Sequence, residues 1–206
     1  MIQLYTAASG NGHRATIMLE ECGLPYKAHF IEVGPSAKKP AEFLRINPAG
    51  TVPVIVDPDG PGGRPITIVQ SGAILLYLAE KSGKFIPQDP MARINVLQWT
   101  MLVLTDIAPT GTAVYFSATR LAFAGLEAAR FWESQFLSLL QTCDRQLALS
   151  TYLAGNAVTV ADFALLPVVA GRRKLIDSSE GLDHVKRWTS EMIGRAAVAK
   201  ALAAAT

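Results

Sequence analysis

Charge is scarce in this sequence, and that scarcity excludes two classes of protein. Charged residues make up 17% of the 206 residues and hydrophobic residues make up 50%, with a formal net charge of +2. This composition excludes a disordered chain and allows a substantial core. The basic residues are scattered, without a run interleaved with aromatic residues, so we expect no nucleic-acid partner.

Cysteine and histidine are also scarce, which argues against a metal site. The two cysteines, Cys22 and Cys143, form no CxxC pair and have no histidine at metal-ligand spacing. The three histidines lie far apart along the chain, at His13, His29 and His184. We therefore predict no metal, and unpaired cysteines are typical of a reducing compartment.

The beginning of the chain has no pattern typical of a signal peptide. Residues 1–5 form a strand-like segment, without a basic region followed by an apolar core. The most apolar stretch, residues 158–170, is interrupted by Asp162 and Pro167, which disfavours a membrane span. We expect a cytoplasmic protein with no membrane partner.

The pattern of predicted elements changes near residue 84. Before it, β-branched or alternating segments predict four strands, at residues 2–5, 26–30, 52–56 and 66–69, with helices after the first and the fourth. After residue 90 the pattern is helical almost throughout. The predicted fold class is α/β plus all-α, with a first domain over 1–84, a linker over 85–92 and a helical domain over 93–206.

Three motifs in the first domain follow one another in a characteristic order. They are Ser9-Gly10-Asn11-Gly12-His13, Asn47-Pro48-Ala49-Gly50-Thr51-Val52-Pro53 and Gln70-Ser71-Gly72-Ala73-Ile74. Together they resemble the glutathione transferases, and the first motif is most similar to the bacterial Nu-class branch, whose members also reduce disulfides with glutathione. The resemblance covers essentially the whole chain. It implies a thioredoxin-like first domain, a C-terminal helical bundle, glutathione as a substrate, and a homodimer.

The resemblance implies that the bond between Val52 and Pro53 is cis. The backbone N–H and C=O of Val52 would then pair with the cysteinyl part of glutathione in the manner of an added strand. Without the resemblance a trans bond would be the expectation, because cis is rare even before proline.

The start of the helix after the fourth strand is the expected site for the γ-glutamyl end of glutathione. A helix N-terminus offers unpaired N–H groups and partial positive charge, which bind an anion. Ser71 is expected to donate its hydroxyl and its N–H to the α-carboxylate. Gln70 replaces a glutamate that in many relatives faces the ammonium group, so its contact would be weaker. The alternative is that Ser71 is a simple N-cap.

The turn after the first strand is expected to stabilise the glutathione thiolate, because the thiolate is the nucleophile. A side-chain donor favours the charged form of the thiol, and the dipole of the helix beginning near Gly12 acts in the same direction. We expect Asn11 first, then Ser9, to supply this donor, unless both only form local turn and cap bonds. Tyr5, which several transferase classes use, is expected to be a core or interface aromatic residue here.

Further polar residues have expected roles. Lys38 would bind the glycine carboxylate of glutathione, with Lys39 and Arg45 as competitors, although such loops are usually just solvated. Arg130 resembles an arginine that reaches the neighbouring subunit's glutathione. Asp162 is predicted to be structural, in a capping motif with Thr159.

These features leave three functions open. The main expectation is conjugation, in which the thiolate attacks a small hydrophobic electrophile held by the helices around residues 101–116. The same site could instead reduce disulfides with two glutathione molecules and no protein cysteine. The third function, from a different class, is a non-catalytic glutathione-binding or scaffold protein.

Overall fold

The computed structural model describes residues 1–34, 36–119 and 125–203. The chain divides into two compact units, one formed by residues 1–84 with the chain from Gly194 onward, the other by Phe85–Ile193. The domain limits predicted from the sequence stay a prediction. The grouping of the last helix with the first unit is a feature that the sequence pattern does not indicate.

The first unit contains a four-stranded mixed sheet. Its strands are β1 (Ile2–Thr6), β2 (Tyr26–Phe30), β3 (Val54–Asp57) and β4 (Ile66–Val69), in the order β2-β1-β3-β4. Strand β1 runs parallel to β2, whereas β3 is antiparallel to both β1 and β4. Strand β3 begins after Pro53 and not at residue 52, because proline has no N–H to donate to the sheet.

The helices of the first unit are α1 (Gly10–Cys22), α2 (Ala41–Ile46), α3 (Ser71–Ser82) and the last helix, α10 (Ala196–Ala203). Fully buried apolar side chains of the sheet, α1 and α3 form its core, among them Leu4, Ile17, Met18, Ile55 and Leu78. Ion pairs of α1 with the end of the chain, Arg195 with Glu21 at 2.6 Å and Lys200 with Glu20 at 2.7 Å, fix the last helix in this unit.

The second unit is helical in all the residues that the structure describes as regular elements. Its helices are α4 (Pro90–Leu102), α5 (Ala108–Thr119), α6 (Gly125–Leu147), α7 (Val160–Ala170), α8 (Arg173–Asp177) and α9 (Asp183–Ile193), with a π-helical segment, Val103–Ile107, between α4 and α5. Helix α7 is buried on nearly every side, which explains why its sequence is so apolar. No helix among the described residues is long and apolar enough to cross a membrane.

The predicted structural role of Asp162 is confirmed. Its carboxylate is fully buried and accepts the N–H of Thr159 at 2.9 Å and the N–H of Leu153 at 3.0 Å. It also accepts the indole N–H of Trp188 at 2.9 Å. The mixed α/β unit and the helical unit that follows it confirm the predicted fold class.

Candidate glutathione site

The sheet register brings the three sequence motifs to one end of the first unit. Tyr5 on β1 pairs with Val54 on β3, and Val54 pairs with Val69 on β4. The first motif follows β1, the second precedes β3, and the third follows β4. Since β3 is antiparallel to both neighbours, all three motifs leave the sheet at the same edge.

The first motif forms the start of α1. We call residues 9–12 the Ser9–Gly12 turn. Ser9 is the N-cap, and its Oγ accepts the N–H of Gly12 at 3.1 Å. The helix therefore begins at Gly10, two residues earlier than the sequence analysis expects. Gly12 itself has no room for a side chain, because a Cβ there would lie 2.2 Å from the carbonyl oxygen of Ala7. The turn is thus held in one conformation by a cap and a close approach of backbone.

Asn11 is exposed in this turn, and its side chain accepts a hydrogen bond from the buried Arg14. Nη1 of Arg14 donates to Asn11 Oδ1 at 2.6 Å and to Ser71 Oγ at 3.2 Å. The hydroxyl of Ser71 in turn donates to Asn11 Oδ1 at 3.3 Å. We call these three side chains the Arg14 bridge, since they connect the Ser9–Gly12 turn with the start of α3.

The positive charge beside the turn belongs to Arg14. Its side chain is only 3% exposed, and burial lowers the pKa of its guanidinium to about 10, which still leaves it protonated at neutral pH. Burial also lowers the pKa of His13 from its ordinary value of 6.5, so this imidazole is neutral at neutral pH. Within the described residues, the Nδ1 atom of His13 is buried without a hydrogen-bond partner. The positive charge and the N-terminus of α1 both favour an anion at the turn.

At the start of α3 the N-cap is Gln70, and Ser71 is the first helical residue. The alternative that Ser71 is the N-cap is therefore wrong. Gln70 has φ of 72°, in a region that residues other than glycine rarely adopt, and the helix begins one residue earlier than it would with Ser71 as the N-cap. The side chain of Gln70 is exposed and makes no cap bond. Ser71 is 8% exposed and belongs to the Arg14 bridge.

The second motif is organised by Asn47. This residue is 5% exposed, and its amide donates to the carbonyl oxygen of Thr51 at 2.8 Å and to the Thr51 hydroxyl at 3.2 Å. Its Oδ1 accepts the N–H of Ala49 at 3.3 Å. These bonds shape the loop that leads into Val52 and Pro53, whose peptide bond is cis as the resemblance implies. The pairing of the Val52 backbone with glutathione stays a prediction.

The remaining predicted site residues lie on exposed or half-buried positions. Lys38 is exposed in the loop between β2 and α2, and Arg45 is exposed on α2. Lys39 donates to the carbonyl oxygen of Glu32. Arg130 is exposed on α6 in the second unit. The roles expected for Lys38 and Arg130 stay predictions.

Tyr5 has the packing role that the sequence analysis expects. Its ring stacks on that of His29, with centroids 4.8 Å apart, and lies 5.6 Å from that of Phe43. It packs against a small core cluster, the buried side chains of Ile31, Phe43 and Val54. The ring therefore belongs to the core next to the first motif.

Two residues of the site, Arg14 and Asn47, have no role predicted from the sequence. A signal for Arg14 is present in the sequence: it precedes Ile17 by three residues and Met18 by four, so it places a charge on the apolar face of α1. A signal for Asn47 is weaker, since asparagine is common in any turn. In the described part of the chain, no group of three or more His, Cys, Asp or Glu residues could hold a metal ion.

Comparison with known proteins decides the family. A family model of the glutathione S-transferase N-terminal domain matches residues 8–81, and one of the C-terminal domain matches residues 133–196. The chain belongs to the glutathione S-transferase family. This confirms the resemblance read from the three motifs and the enzyme class that the resemblance implies.

Several members of the glutathione S-transferase family are similar over most of their length. The disulfide-bond oxidoreductase YfcG of Escherichia coli is 34% identical over 98% of this chain and 94% of its own. The disulfide-bond oxidoreductase YghU of the same organism is 34% identical over 96% of this chain and 72% of its own.

Solved structures of the family superpose closely on this chain. A glutathione transferase family member from Pseudomonas fluorescens, with two glutathione molecules bound, has a TM-score of 0.89 at 34% identity, over 98% of this chain and 92% of its own. A glutathione transferase from Pseudomonas putida, with one glutathione disulfide bound per subunit, has a TM-score of 0.86 at 32% identity, over 98% of this chain and 90% of its own.

Proposed function

We propose that this chain binds glutathione at the Ser9–Gly12 turn and the start of α3, and uses its thiolate as a nucleophile. The observation that carries the proposal is the Arg14 bridge. It connects Asn11, the expected donor to the sulfur, with Ser71, the expected donor to the γ-glutamyl carboxylate. A donor and a helix N-terminus at the sulfur both favour the thiolate.

We assign the rest of the ligand to the other residues predicted from the sequence. The α-carboxylate of glutathione lies at the N-terminus of α3, where Ser71 and the first N–H groups can donate to it. The backbone of Val52, before Pro53, pairs with the cysteinyl residue. Gln70 faces the ammonium group, Lys38 meets the glycine carboxylate, and Arg130 serves the neighbouring subunit's site.

The reaction we favour is the reduction of a disulfide. The thiolate of one glutathione attacks the substrate disulfide, which forms a mixed disulfide and releases one substrate thiolate. The thiolate of a second glutathione attacks the mixed disulfide, which gives glutathione disulfide and the second substrate thiolate. Support comes from the two relatives named as disulfide-bond oxidoreductases and from neighbours that hold two glutathione molecules or glutathione disulfide.

Conjugation to a hydrophobic electrophile is the second candidate. The observation that favours it is the exposure of large apolar side chains in the segment expected to hold the electrophile. Met101 is 42% exposed, Tyr115 is 50% exposed and Phe116 is 37% exposed. Such side chains suit an apolar second substrate.

Retention on glutathione–agarose followed by two assays tests these functions. We expect retention that free glutathione reverses, turnover of hydroxyethyl disulfide, and a lower rate with a chloronitrobenzene. The reverse order of rates would make conjugation the main reaction. Retention without turnover of either substrate would support the non-catalytic binding protein, and absence of retention would contradict the proposal.

A homodimer in the cytoplasm is part of the proposal. Its support is the membership in the glutathione S-transferase family. Light scattering of the purified protein tests the dimer, and a monomeric mass at micromolar concentration would contradict it. Fractionation of the producing cells tests the location.

A further inference from the structure

Helix α1 buries the charged side chain of Arg14 on its apolar face. Arg14 is 3% exposed and lies among fully buried apolar neighbours on the helix, such as Ala15, Ile17 and Met18. Burying a guanidinium is costly unless its N–H groups find acceptors. Two of those acceptors are Asn11 Oδ1 and Ser71 Oγ, which belong to the two halves of the proposed glutathione site.

The contact with Arg14 decides which atom of Asn11 faces inward. A guanidinium has donors and no acceptor, whereas a carboxamide has one acceptor oxygen and one donor nitrogen. Only the oxygen can therefore lie 2.6 Å from Nη1 of Arg14. The nitrogen of the Asn11 amide is turned away from Arg14. Because Asn11 is exposed, a ligand at the turn can reach this donor.

The hydroxyl of Ser71 has one proton, and in this structure it is donated to Asn11 Oδ1. To donate to a carboxylate, the hydroxyl has to rotate away from Asn11. The contact of Arg14 with Asn11, which is the shorter of the two at 2.6 Å against 3.3 Å, then remains to hold the amide. Arg14 is thus the side chain that keeps Asn11 in place while glutathione is bound.

We propose that Arg14 is a positioning residue, which directs the amide nitrogen of Asn11 toward the glutathione sulfur and keeps it there when Ser71 turns to the γ-glutamyl carboxylate. The inference rests on the proposed function. Arginine suits the role better than lysine, because its planar group carries several donors in fixed directions. A lysine at this position would keep the charge and lose that geometry.

Titration of the bound thiol tests the proposal. In Arg14→Met we expect the pKa of bound glutathione, followed by the ultraviolet absorbance of the thiolate, to rise by about one, because an ordered donor and a nearby positive charge both favour the thiolate. At a pH below both pKa values, kcat would fall about tenfold with the thiolate fraction. In Arg14→Lys we expect a smaller but measurable rise, about half of that in Arg14→Met, because the charge remains and the fixed donor geometry is lost.

Arg195→Met is the matched control. Arg195 forms an ion pair with Glu21 near the other end of α1, so its loss tests the effect of removing an arginine that stabilises the same helix. We expect a lower Tm in this variant and an unchanged thiol pKa. A purely structural Arg14 would give the same pattern, a lower Tm with no change in the thiol pKa, and would overturn the proposal.

Two outcomes separate this inference from the proposed function. If the unaltered protein does not lower the pKa of bound glutathione below that of free glutathione, the proposed function fails and the inference fails with it. If the unaltered protein lowers it and Arg14→Met, folded by circular dichroism, lowers it equally, only the inference fails. Should Arg14→Met not fold, the Arg14→Lys variant decides, since an unchanged thiol pKa and an unchanged kcat there contradict the role of the arginine geometry.

Discussion

The hydroxyl of Ser71 donates to Oδ1 of Asn11 across 3.3 Å, between residues that lie 60 positions apart in the sequence. The contact joins the first turn of α3 to the first turn of α1. Two helix N-termini of the first unit therefore meet through side chains, and both favour negative charge. A ligand with a carboxylate at one helix N-terminus and a thiolate at the other matches this pair.

Asn11→Ala tests the donor to the sulfur. We expect the pKa of bound glutathione to rise by about one to two, because a hydrogen bond to a charged group contributes roughly 1.5–3 kcal/mol. The protein should still fold, with a lowered Tm, because the buried guanidinium of Arg14 loses the acceptor Asn11 Oδ1. Thiolate absorbance as a function of pH and thermal unfolding measure the two effects. An unchanged thiol pKa would transfer the role to Ser9 or Tyr5.

Ser71→Ala tests the site of the γ-glutamyl carboxylate. We expect the half-saturating concentration of glutathione to rise about tenfold or more, from the loss of one bond to a charged group, while kcat at saturation changes little. Steady-state kinetics with varied glutathione measure both. Ser82→Ala, at the other end of α3, is the matched control, because its hydroxyl binds the Leu78 carbonyl oxygen of the same helix. Equal effects in the two variants would contradict the assignment.

Ser9→Ala separates a capping role from a catalytic one. Because Ser9 Oγ caps α1, we expect the free energy of unfolding to fall by about 1 kcal/mol, measured by urea denaturation. The Ser9→Thr variant keeps the oxygen and should lose less. A normal stability together with a raised thiol pKa would show that Ser9 serves the sulfur and not the helix.

The buried carboxylate of Asp57 should make the stability of the protein depend on pH. Burial alone would raise its pKa, but bonds from Tyr77, the Asp59 N–H and Lys81 outweigh it, so the pKa lies below the ordinary value of 3.8. A carboxyl group whose pKa is lowered by folding stabilises the native state above its unfolded pKa, and the stabilisation is lost as pH falls through its folded pKa. We expect Asp57→Asn to lower the Tm at neutral pH and to weaken its decline below about pH 4.

The control for Asp57 is the neighbouring carboxylate of Asp59. Its side chain is 85% exposed and lies 3.7 Å from Lys81, so its pair with that lysine contributes little. Asp59→Asn should therefore leave the Tm almost unchanged from neutral pH to pH 3. The same acid dependence in both variants would show that Asp57 is not its source.

The two cysteines should not be needed for disulfide reduction. Both are buried; burial raises the pKa of the Cys22 thiol and raises that of Cys143 to about 12. Neither thiol forms a nucleophilic thiolate at neutral pH. We expect the Cys22→Ala/Cys143→Ala variant to retain the unaltered rate with hydroxyethyl disulfide. A lost rate in a variant that still folds would assign a cysteine to the mechanism.

Much of the fold is predictable from local sequence. The alternation at Tyr26–Phe30 and the β-branched runs around Val54 and Ile66 predict strands, and Gly23, with φ of 70°, ends α1 as a glycine is expected to do. The start of α3 predicted with Ser71 as the N-cap is wrong by one residue, because the backbone of Gln70 adopts a conformation that its residue type does not favour. Propensity describes the average residue and does not predict such a position.

The candidate site is predictable in part. The turn at Ser9–Gly12, the cis bond before Pro53 and the serine that starts α3 were recognisable because three short motifs kept their order. Arg14 was not, since its contact with Ser71 forms only when the chain is folded. Asn47 was not, because asparagine is common in any turn. A charge on an apolar helix face shows that a partner is needed, and the sequence does not identify that partner.

The sequence by itself determined the family, the order of strands and helices, and the residue types available to bind glutathione. Local periodicity and turn chemistry suffice for this, because they act between residues near one another in the chain. Only the tertiary structure decided that Arg14 meets Ser71, 57 residues away, and that the last helix lies against α1 through Arg195 and Glu21. Both depend on the register of the sheet and on the burial of side chains, which long-range packing sets.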